Sequence, residues 1–276
     1  MRIVFNEIFL DHNNGSKFEG PYRVKSFVND PKVTIKKVNG EKYLTLVHSK
    51  EYINKIESAS QEKEVIAEVQ LTPESYKAAI FASGLTMYAA ENNDFAIVRP
   101  PGHHAASDKA SGFCLFNNVA VATKKLLKEG KRVAILDIDG HHGDGTQAIV
   151  KGMRNVFYCS IHQANTFPGT GYMSDQNCLN IPITPPIEER QYLEKLNICI
   201  KKIKEFNPDT LGVSVGFDTY KEDGLLDFNL EISTYGKIGK KLGKGFKNIF
   251  AVLEGGYHNR ILECTKSFVS GVNSST

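Results

Sequence analysis

One stretch of the sequence decides the fold, VAILDIDGHHGDG at residues 133–145. Four apolar residues, typical of a buried strand, lead directly into nine residues that carry five ionisable side chains. Removing those charges from water would cost on the order of several kcal/mol each unless a cation or paired partners compensate. Because side chains alternate along a strand, we expect Asp137, Asp139 and His141 on the same side. The stretch therefore predicts a strand that ends in a metal site.

On both sides of this stretch, short apolar runs alternate with segments of helical period. The predicted strands are residues 2–5, 95–98, 133–138, 156–161, 210–215 and 249–253. One predicted helix begins at Pro73, behind the N-cap Thr72. The other predicted helices cover residues 117–128, 187–206, 233–242 and 258–272. This order predicts an α/β fold with a central, mostly parallel sheet flanked by helices.

The composition limits the kind of protein. A length of 276 residues fits a single domain, residues 1–276, with a large core. A net charge of +3 without a basic stripe argues against nucleic acid, and the absence of a run of about 18 apolar residues argues against a membrane span. The five cysteines are odd in number and lack C-x-x-C spacing, which indicates reduced thiols. We expect a cytoplasmic protein.

The loops that follow the predicted strands are expected to form one rim, because ligands of open α/β sheets bind beyond the carboxyl ends of the strands. These loops carry RPPGHH (99–104), DGHHGDG (139–145), FPGTG (167–171), GFDT (216–219) and EGGY (254–257). Histidine, aspartate, phenylalanine and tyrosine are thus concentrated at five strand ends. The functional site is predicted at this rim.

Asp139, His141 and Asp218 are the candidate metal ligands. Two hard oxygens and one imidazole nitrogen suit Zn²⁺ or Fe²⁺ and leave positions open for water and substrate. Taken singly, the aspartates could be helix caps or ion-pair partners, and the histidine could belong to the core. The Asp-x-His spacing, framed by Asp139 and Asp144, favours the metal site.

His103 and His104 follow a stiff Pro-Pro-Gly segment, so one can act as a general base toward water while the other stabilises charge. Asp137 and Asp144 are available to orient the two rings. Tyr257 follows two glycines at a strand end, where its hydroxyl could donate to an oxyanion. The alternatives are a histidine pair without a catalytic role and a surface tyrosine in a plain turn.

Phe113 and Phe167 are candidates for the walls of a narrow apolar slot that holds an alkyl chain. Both lie near glycines in predicted rim loops, Gly112 in the case of Phe113. The alternative is a core position, where single aromatic residues are more often found. The neighbouring glycines favour the slot.

Six stretches of the sequence resemble the histone deacetylase superfamily, and together they span nearly the whole chain. They are RPPGHHA (99–105), GFCLFNNVAVA (112–122), ILDIDGHHGDGTQ (135–147), FPGTG (167–171), GFDT (216–219) and LEGGY (253–257). The resemblance implies an arginase-like, three-layer α/β fold. It also implies Zn²⁺-dependent hydrolysis of an acetylated amine.

The resemblance further implies a role for each site residue. The implied metal ligands are Asp139, His141 and Asp218; the implied catalytic residues are His104 as general base and acid, His103 as its electrostatic helper, Asp137 and Asp144 as their partners, and Tyr257 polarising the amide carbonyl. The implied substrate contacts are Gly112, Phe113 and Phe167, and a structural K⁺ is implied near Asp137, Asp139, His141, Ser160 and Ile161.

Within the superfamily, the sequence is most similar to bacterial acetylpolyamine amidohydrolases. The similarity lies in FEGPYR (18–23), in Ala67-Glu68 ahead of LTP (71–73), and in DTY (218–220) followed by Asp223 and Phe228. Glu68 falls where these enzymes place an acid at the tunnel mouth, which would attract a distant ammonium of the substrate. Its alternative is a solvated acid ahead of a helix. The long insertion that these enzymes carry before that position is missing here, which leaves tunnel width and a possible homo-oligomer open.

The leading hypothesis is a zinc amidohydrolase that deacetylates small acetylated amines, with polyamines favoured. A protein lysine deacetylase and a deacylase of another small N-acyl amine are the enzyme alternatives. A catalytically silent, metal-containing binder of acylated amines is the alternative from another class, and the presence of Tyr257 and both histidines argues against it. A dimanganese hydrolase would need more paired aspartates than the single Asp218 of GFDT.

Overall fold

The main sheet is built from short, largely apolar strands, several of which have both faces buried. The structure is a computed structural model and describes residues 1–274. The strands are Ile3–Phe5 (β1), Val33–Ile35 (β2), Val65–Ile66 (β3), Val69–Gln70 (β4), Phe95–Ile97 (β5), Val133–Asp137 (β6), Val156–Gln163 (β7), Cys178–Ile183 (β8), Ile187–Glu188 (β9), Thr210–Val215 (β10), Phe228–Asn229 (β11) and Ile249–Leu253 (β12).

The main sheet has the strand order β2-β1-β5-β12-β10-β6-β7-β8, and its neighbouring strands run parallel. All residues of β5, β6, β10 and β12 are buried, so helices must cover both faces of the centre of the sheet. The predicted α/β fold with a mostly parallel sheet between helical layers is confirmed.

The helices flank the sheet in two groups. They are Tyr22–Lys25 (α1), Glu41–Leu44 (α2), Lys50–Glu62 (α3), Pro73–Asn92 (α4), Asn118–Lys128 (α5), Asp144–Val150 (α6), Glu189–Phe206 (α7), Ile232–Gly245 (α8) and Ile261–Asn273 (α9). Helices α4 and α5 pack on each other and on the central strands, whereas α7, α8 and α9 pack in series. As predicted, α4 begins with Pro73 at its first position behind the N-cap Thr72, which also forms a capping box with Ser75.

The edges of the sheet differ from the sequence prediction. Strands β2 and β8 were not predicted, because both lie at edges where residues are only partly buried and the apolar signal is weak. The helix predicted from residue 187 begins at Glu189, since Ile187 and Glu188 pair with β11 instead. Prediction was therefore most accurate at the buried centre of the sheet.

The expectation of reduced thiols is wrong for one pair, since Cys159 of β7 and Cys199 of α7 form a disulfide. These residues are 40 positions apart, and only the packing of α7 on β7 brings them together. Cys114, Cys178 and Cys264 are free and buried.

Within residues 1–274, no helix is both long and apolar enough to cross a membrane.

Candidate active site

Two neighbouring strands of the sheet bring together the three candidate metal ligands. Asp139 and His141 follow β6, and Asp218 follows β10. One ligand atom of each residue lies within 4.8 Å of the other two. His141 Nδ1 is 2.7 Å from Asp218 Oδ2 and 3.2 Å from Asp139 Oδ1. Backbone N–H groups of Gly255 and Gly140 donate to the far oxygens of the two carboxylates and so fix their orientation.

The charges of this cluster require compensation. Asp139 and Asp218 are both buried, and burial together with the charge of Asp139 raises the pKa of Asp218. Burial alone would lower the pKa of His141, but its hydrogen bonds to the two carboxylates outweigh burial and raise the pKa to about 10. The carboxylates thus favour positive charge at this position. A divalent cation would supply that charge, and two oxygens with one nitrogen form a donor set that fits Zn²⁺ or Fe²⁺.

Two histidine–aspartate pairs lie beside the cluster. His103 Nδ1 is 3.2 Å from Asp137 Oδ2, and His104 Nδ1 is 2.8 Å from Asp144 Oδ1. The two rings are 4.0 Å apart, centre to centre. Asp137 also accepts a hydrogen bond from the Tyr158 hydroxyl at 3.0 Å, which holds its carboxylate in place. The histidines follow β5, whereas Asp137 is the last residue of β6 and Asp144 is the first residue of α6, so each pair forms only in the folded chain.

The two adjacent histidines have opposite pKa shifts. Burial and the neighbouring His103 lower the pKa of His104 to about 3. Burial would also lower the pKa of His103, but the carboxylates of Asp139 and Asp137 outweigh it and raise the pKa well above its usual value. A cation on Asp139 would weaken that residue's effect, whereas the effect of Asp137 would remain. Burial therefore dominates the pKa of His104, whereas the neighbouring carboxylates dominate the pKa of His103.

An apolar cavity of about 320 Å³ leads to these groups. Its lining residues are Phe18, Glu68, His104, Gly112, Phe113, His141, Phe167, Leu225 and Tyr257. The Phe167 ring lies 5.0 Å from that of His104, and the Phe113 ring lies 5.9 Å from that of Tyr257. The lining roles of Phe18 and Leu225 were not predicted, because Phe18 was noted only as part of the stretch FEGPYR and Leu225 was not singled out at all. The predicted slot residues Gly112, Phe113 and Phe167 all lie here.

Glu68 lies on the tip of a hairpin, not directly ahead of a helix. Strands β3 and β4 are joined by Ala67 and Glu68, both in the left-handed region with φ of 53° and 65°. The Glu68 Oε2 atom accepts a hydrogen bond from Gly112 N–H at 2.9 Å, and the Ala67 carbonyl accepts one from Phe113 N–H at 3.1 Å. The hairpin therefore supports the wall of the cavity and places an exposed carboxylate at its mouth.

His142, for which the sequence suggests no role, supports the loop that carries Phe167. Its Nδ1 lies 2.7 Å from Thr170 Oγ1, and its Nε2 lies 3.1 Å from Gln147 Oε1. The His162 ring lies 4.7 Å away, and its Nε2 is 3.2 Å from the Gly171 carbonyl oxygen. Two buried imidazoles thus hold the far end of this loop.

Comparison with known proteins assigns the family. The model of the histone deacetylase domain matches residues 21–272. The chain belongs to the histone deacetylase family. The predicted resemblance and the predicted class, a deacetylase that hydrolyses an amide bond, are both confirmed.

Curated relatives of this deacetylase include enzymes with stated substrates. An acetylpolyamine amidohydrolase of Burkholderia pseudomallei is 36% identical over 188 residues, which cover 64% of this chain and 55% of that protein. A probable deacetylase of Archaeoglobus fulgidus is 34% identical over 233 residues, with coverage of 76% and 65%. The deacetylase described here therefore spans about half to two thirds of these relatives.

Among solved structures, the crystal structure of the HDA15 HD domain superposes with a TM-score of 0.91. The sequence identity is 27%, and the superposition covers 100% of this chain and 91% of the other. Such agreement across the whole chain means that the deacetylase shares the complete fold of this domain.

Proposed function

We propose that this protein deacetylates small acetylated amines, with acetylated polyamines favoured, using Zn²⁺ held by Asp139, His141 and Asp218. Fe²⁺ is the alternative ion for the same donors. One observation carries the proposal: a single apolar cavity has the ligand His141 and the base His104 in its lining and an exposed carboxylate, Glu68, at its mouth. The curated acetylpolyamine amidohydrolases support the choice of substrate.

The two histidines have different roles, proton transfer for His104 and charge stabilisation for His103. When bound, the cation supplies Lewis acidity, which polarises the acetyl carbonyl and makes water more acidic. His104 is neutral, and Asp144 binds its Nδ1, so its Nε2 is free to take a proton from the attacking water and later to protonate the departing amine. His103, whose pKa the nearby carboxylates of Asp139 and Asp137 raise, is placed to stabilise the negative charge that develops.

Tyr257 acts on the carbonyl oxygen. Burial raises the pKa of its phenol well above the usual value, so the hydroxyl stays protonated and can donate a hydrogen bond. Phe113 and Phe167 pack against the methylene chain of the substrate, and Gly112 allows close approach between them. Glu68 attracts the distal ammonium of a polyamine through the oxygen that Gly112 does not use.

The direct test is a substrate panel with the Zn²⁺-loaded and the Fe²⁺-loaded protein. Acetylputrescine, acetylspermidine and an acetyl-lysine peptide are compared by kcat/KM, with His104→Ala as the inactive control. We expect the polyamines to have the higher values. A clear preference for the peptide would replace this proposal with a protein lysine deacetylase, and activity no higher than that of His104→Ala would favour a binder.

The lysine deacetylase is kept as the second candidate because of the cavity mouth. The segment between Tyr52 and Thr72 forms most of α3 and the β3–β4 hairpin, with no further helix or strand. Phe18 is 48% exposed and Leu225 is 38% exposed at the cavity, which leaves apolar surface for the residues that flank an acetyl-lysine. The same mouth could also admit a bulkier acylated small molecule.

We further propose a structural K⁺ near Asp137, Asp139, His141, Ser160 and Ile161. Asp137 lies opposite Ser160 in the pairing of β6 with β7, so oxygen donors from two strands lie side by side. A higher melting temperature in KCl than in choline chloride at equal ionic strength would support this site.

A cytoplasmic location and a homo-oligomer remain predictions, and sedimentation would test the oligomer.

A further inference from the structure

Asp223 contacts the backbone of Tyr257 from the loop that follows Asp218. Its Oδ2 atom accepts a hydrogen bond from Tyr257 N–H at 2.5 Å. Its other oxygen, Oδ1, accepts a longer one from Leu225 N–H at 3.4 Å. Tyr257 and Leu225 both line the cavity, whereas Asp223 is not among the lining residues. One carboxylate thus connects two segments of the cavity wall without facing the substrate.

The backbone before Tyr257 needs such a contact. Gly256 has a φ of +109°, a conformation that only glycine adopts readily, and a preceding glycine adds further freedom. A tyrosine placed after two glycines has many accessible directions unless other groups restrain it. Its phenol can act on a carbonyl oxygen only over a narrow range of positions.

Other contacts restrain Tyr257 at different points. The Tyr22 hydroxyl donates to the Tyr257 carbonyl oxygen at 3.0 Å. Arg23 donates to the Gly256 carbonyl oxygen at 2.5 Å, and its guanidinium lies 4.9 Å from the centre of the Tyr257 ring. Asp223 is the partner of the N–H group. This bond has a carboxylate acceptor, and it is the one in the set made by the Tyr257 N–H group itself.

We propose that Asp223 is a positioning residue for Tyr257, which holds the tyrosine backbone so that the phenol points at the acyl carbonyl of the substrate. This inference rests on the proposed function, because it assumes that the Tyr257 hydroxyl acts in hydrolysis. Asp223 itself neither binds the metal nor contacts the substrate. Its effect therefore depends on the presence of the Tyr257 hydroxyl.

A double-mutant cycle tests this dependence. Asp223→Ala is expected to lower kcat by about tenfold or more, with KM within about threefold, and Asp223→Asn, which keeps an acceptor oxygen, is expected to restore most of the rate. In a Tyr257→Phe background, Asp223→Ala should change kcat by less than about twofold. An equal loss in both backgrounds would overturn the proposal, as would an Asp223→Asn variant as slow as Asp223→Ala.

A spectroscopic measurement separates this inference from the proposed function. In protein labelled with 3-fluorotyrosine, the ¹⁹F resonance that Tyr257→Phe removes belongs to Tyr257. We expect Asp223→Ala to shift or broaden this resonance, while the exposed neighbour variant Glu222→Ala leaves it unchanged. An unchanged resonance in Asp223→Ala would overturn the inference. A wild-type protein inactive on every acetylated amine would overturn the proposed function, and the resonance would still decide the role of Asp223.

Discussion

At the scale of single residues, Asp144 sets which nitrogen of His104 transfers protons in the proposed mechanism. Its Oδ1 lies 2.8 Å from Nδ1, so the proton is held there and Nε2 is left as a base. Asparagine at this position could donate to Nδ1 and favour the opposite tautomer. We expect Asp144→Asn to lower kcat by about 10- to 100-fold with little change in KM. Steady-state kinetics on acetylputrescine with equal metal content would check this, and a change in KM alone would contradict it.

Asp218 is the ligand that the loop after β10 contributes to the proposed metal site. A cation that binds the folded protein but not the unfolded chain stabilises the fold, by about 2.7 kcal/mol at a hundredfold excess over its Kd. We expect Zn²⁺ to raise the melting temperature of the wild type, and Asp218→Asn to remove most of that rise. Scanning calorimetry with and without chelator measures both. An equal rise in the variant would place the Zn²⁺ elsewhere.

At the scale of elements, the loop over residues 167–171 offers a matched pair of glycines. Gly169 and Gly171 have φ of +76° and +75°, so alanine at either position bears the same backbone strain, roughly 1–2 kcal/mol. A Cβ on Gly169 would meet open space, whereas one on Gly171 would lie 2.6 Å from ring atoms of both His142 and His162. We expect Gly171→Ala to lower the free energy of unfolding clearly more than Gly169→Ala does. Urea titrations compare the two, and equal losses would mean that the imidazoles do not hold the loop.

The β3–β4 hairpin presents Glu68 at the cavity mouth. We expect Glu68→Gln, which retains an acceptor for Gly112 N–H, to raise KM for acetylspermidine severalfold at low salt. The effect should shrink at high ionic strength, because salt screens exposed charges. An uncharged acetyl-amide substrate is the control and should be unaffected. An equal rise for both substrates would indicate a steric role for the hairpin.

At the scale of the whole molecule, His48 joins segments that are far apart in the chain. Its Nδ1–H donates to the Ser107 carbonyl oxygen at 2.7 Å, and its Nε2 accepts from the Asn117 N–H at 3.0 Å. This arrangement needs a neutral ring, and burial lowers the pKa of His48 to about 4. Below pH 6.5 the unfolded chain takes up a proton at this residue, whereas the folded protein does so only near pH 4. Stability is therefore lost as the pH falls through this window.

The titration of His48 is expected to lower the free energy of unfolding by about 1.4 kcal/mol per pH unit within that window. Between pH 7 and pH 5 this amounts to roughly 2 kcal/mol. Urea unfolding at the two pH values measures it. His48→Gln is less stable at pH 7 because one hydrogen bond is lost, but its further loss on acidification should be smaller than that of the wild type by this amount. The same loss in both proteins would show that His48 already titrates normally in the fold.

The sequence by itself determined the centre of this protein. Strands β10 and β12 match their predicted bounds, because fully buried apolar runs between turn residues are a local signal. It also determined that Asp139, His141 and Asp218 would meet, since loops after parallel strands share one edge of the sheet. Both conclusions depend only on residue order and on a general rule of parallel sheets.

Only the tertiary structure decided which groups hold these residues in place. The hairpin position of Glu68, the contact of Asp223 with Tyr257, the support of Thr170 by His142 and the Cys159–Cys199 disulfide all join segments whose approach no local pattern encodes. Each contact depends on the conformation of loops and on how a helix packs over a strand. Such arrangements are set by the packing of the whole chain, and hydrogen-bond partners between loops follow from that packing.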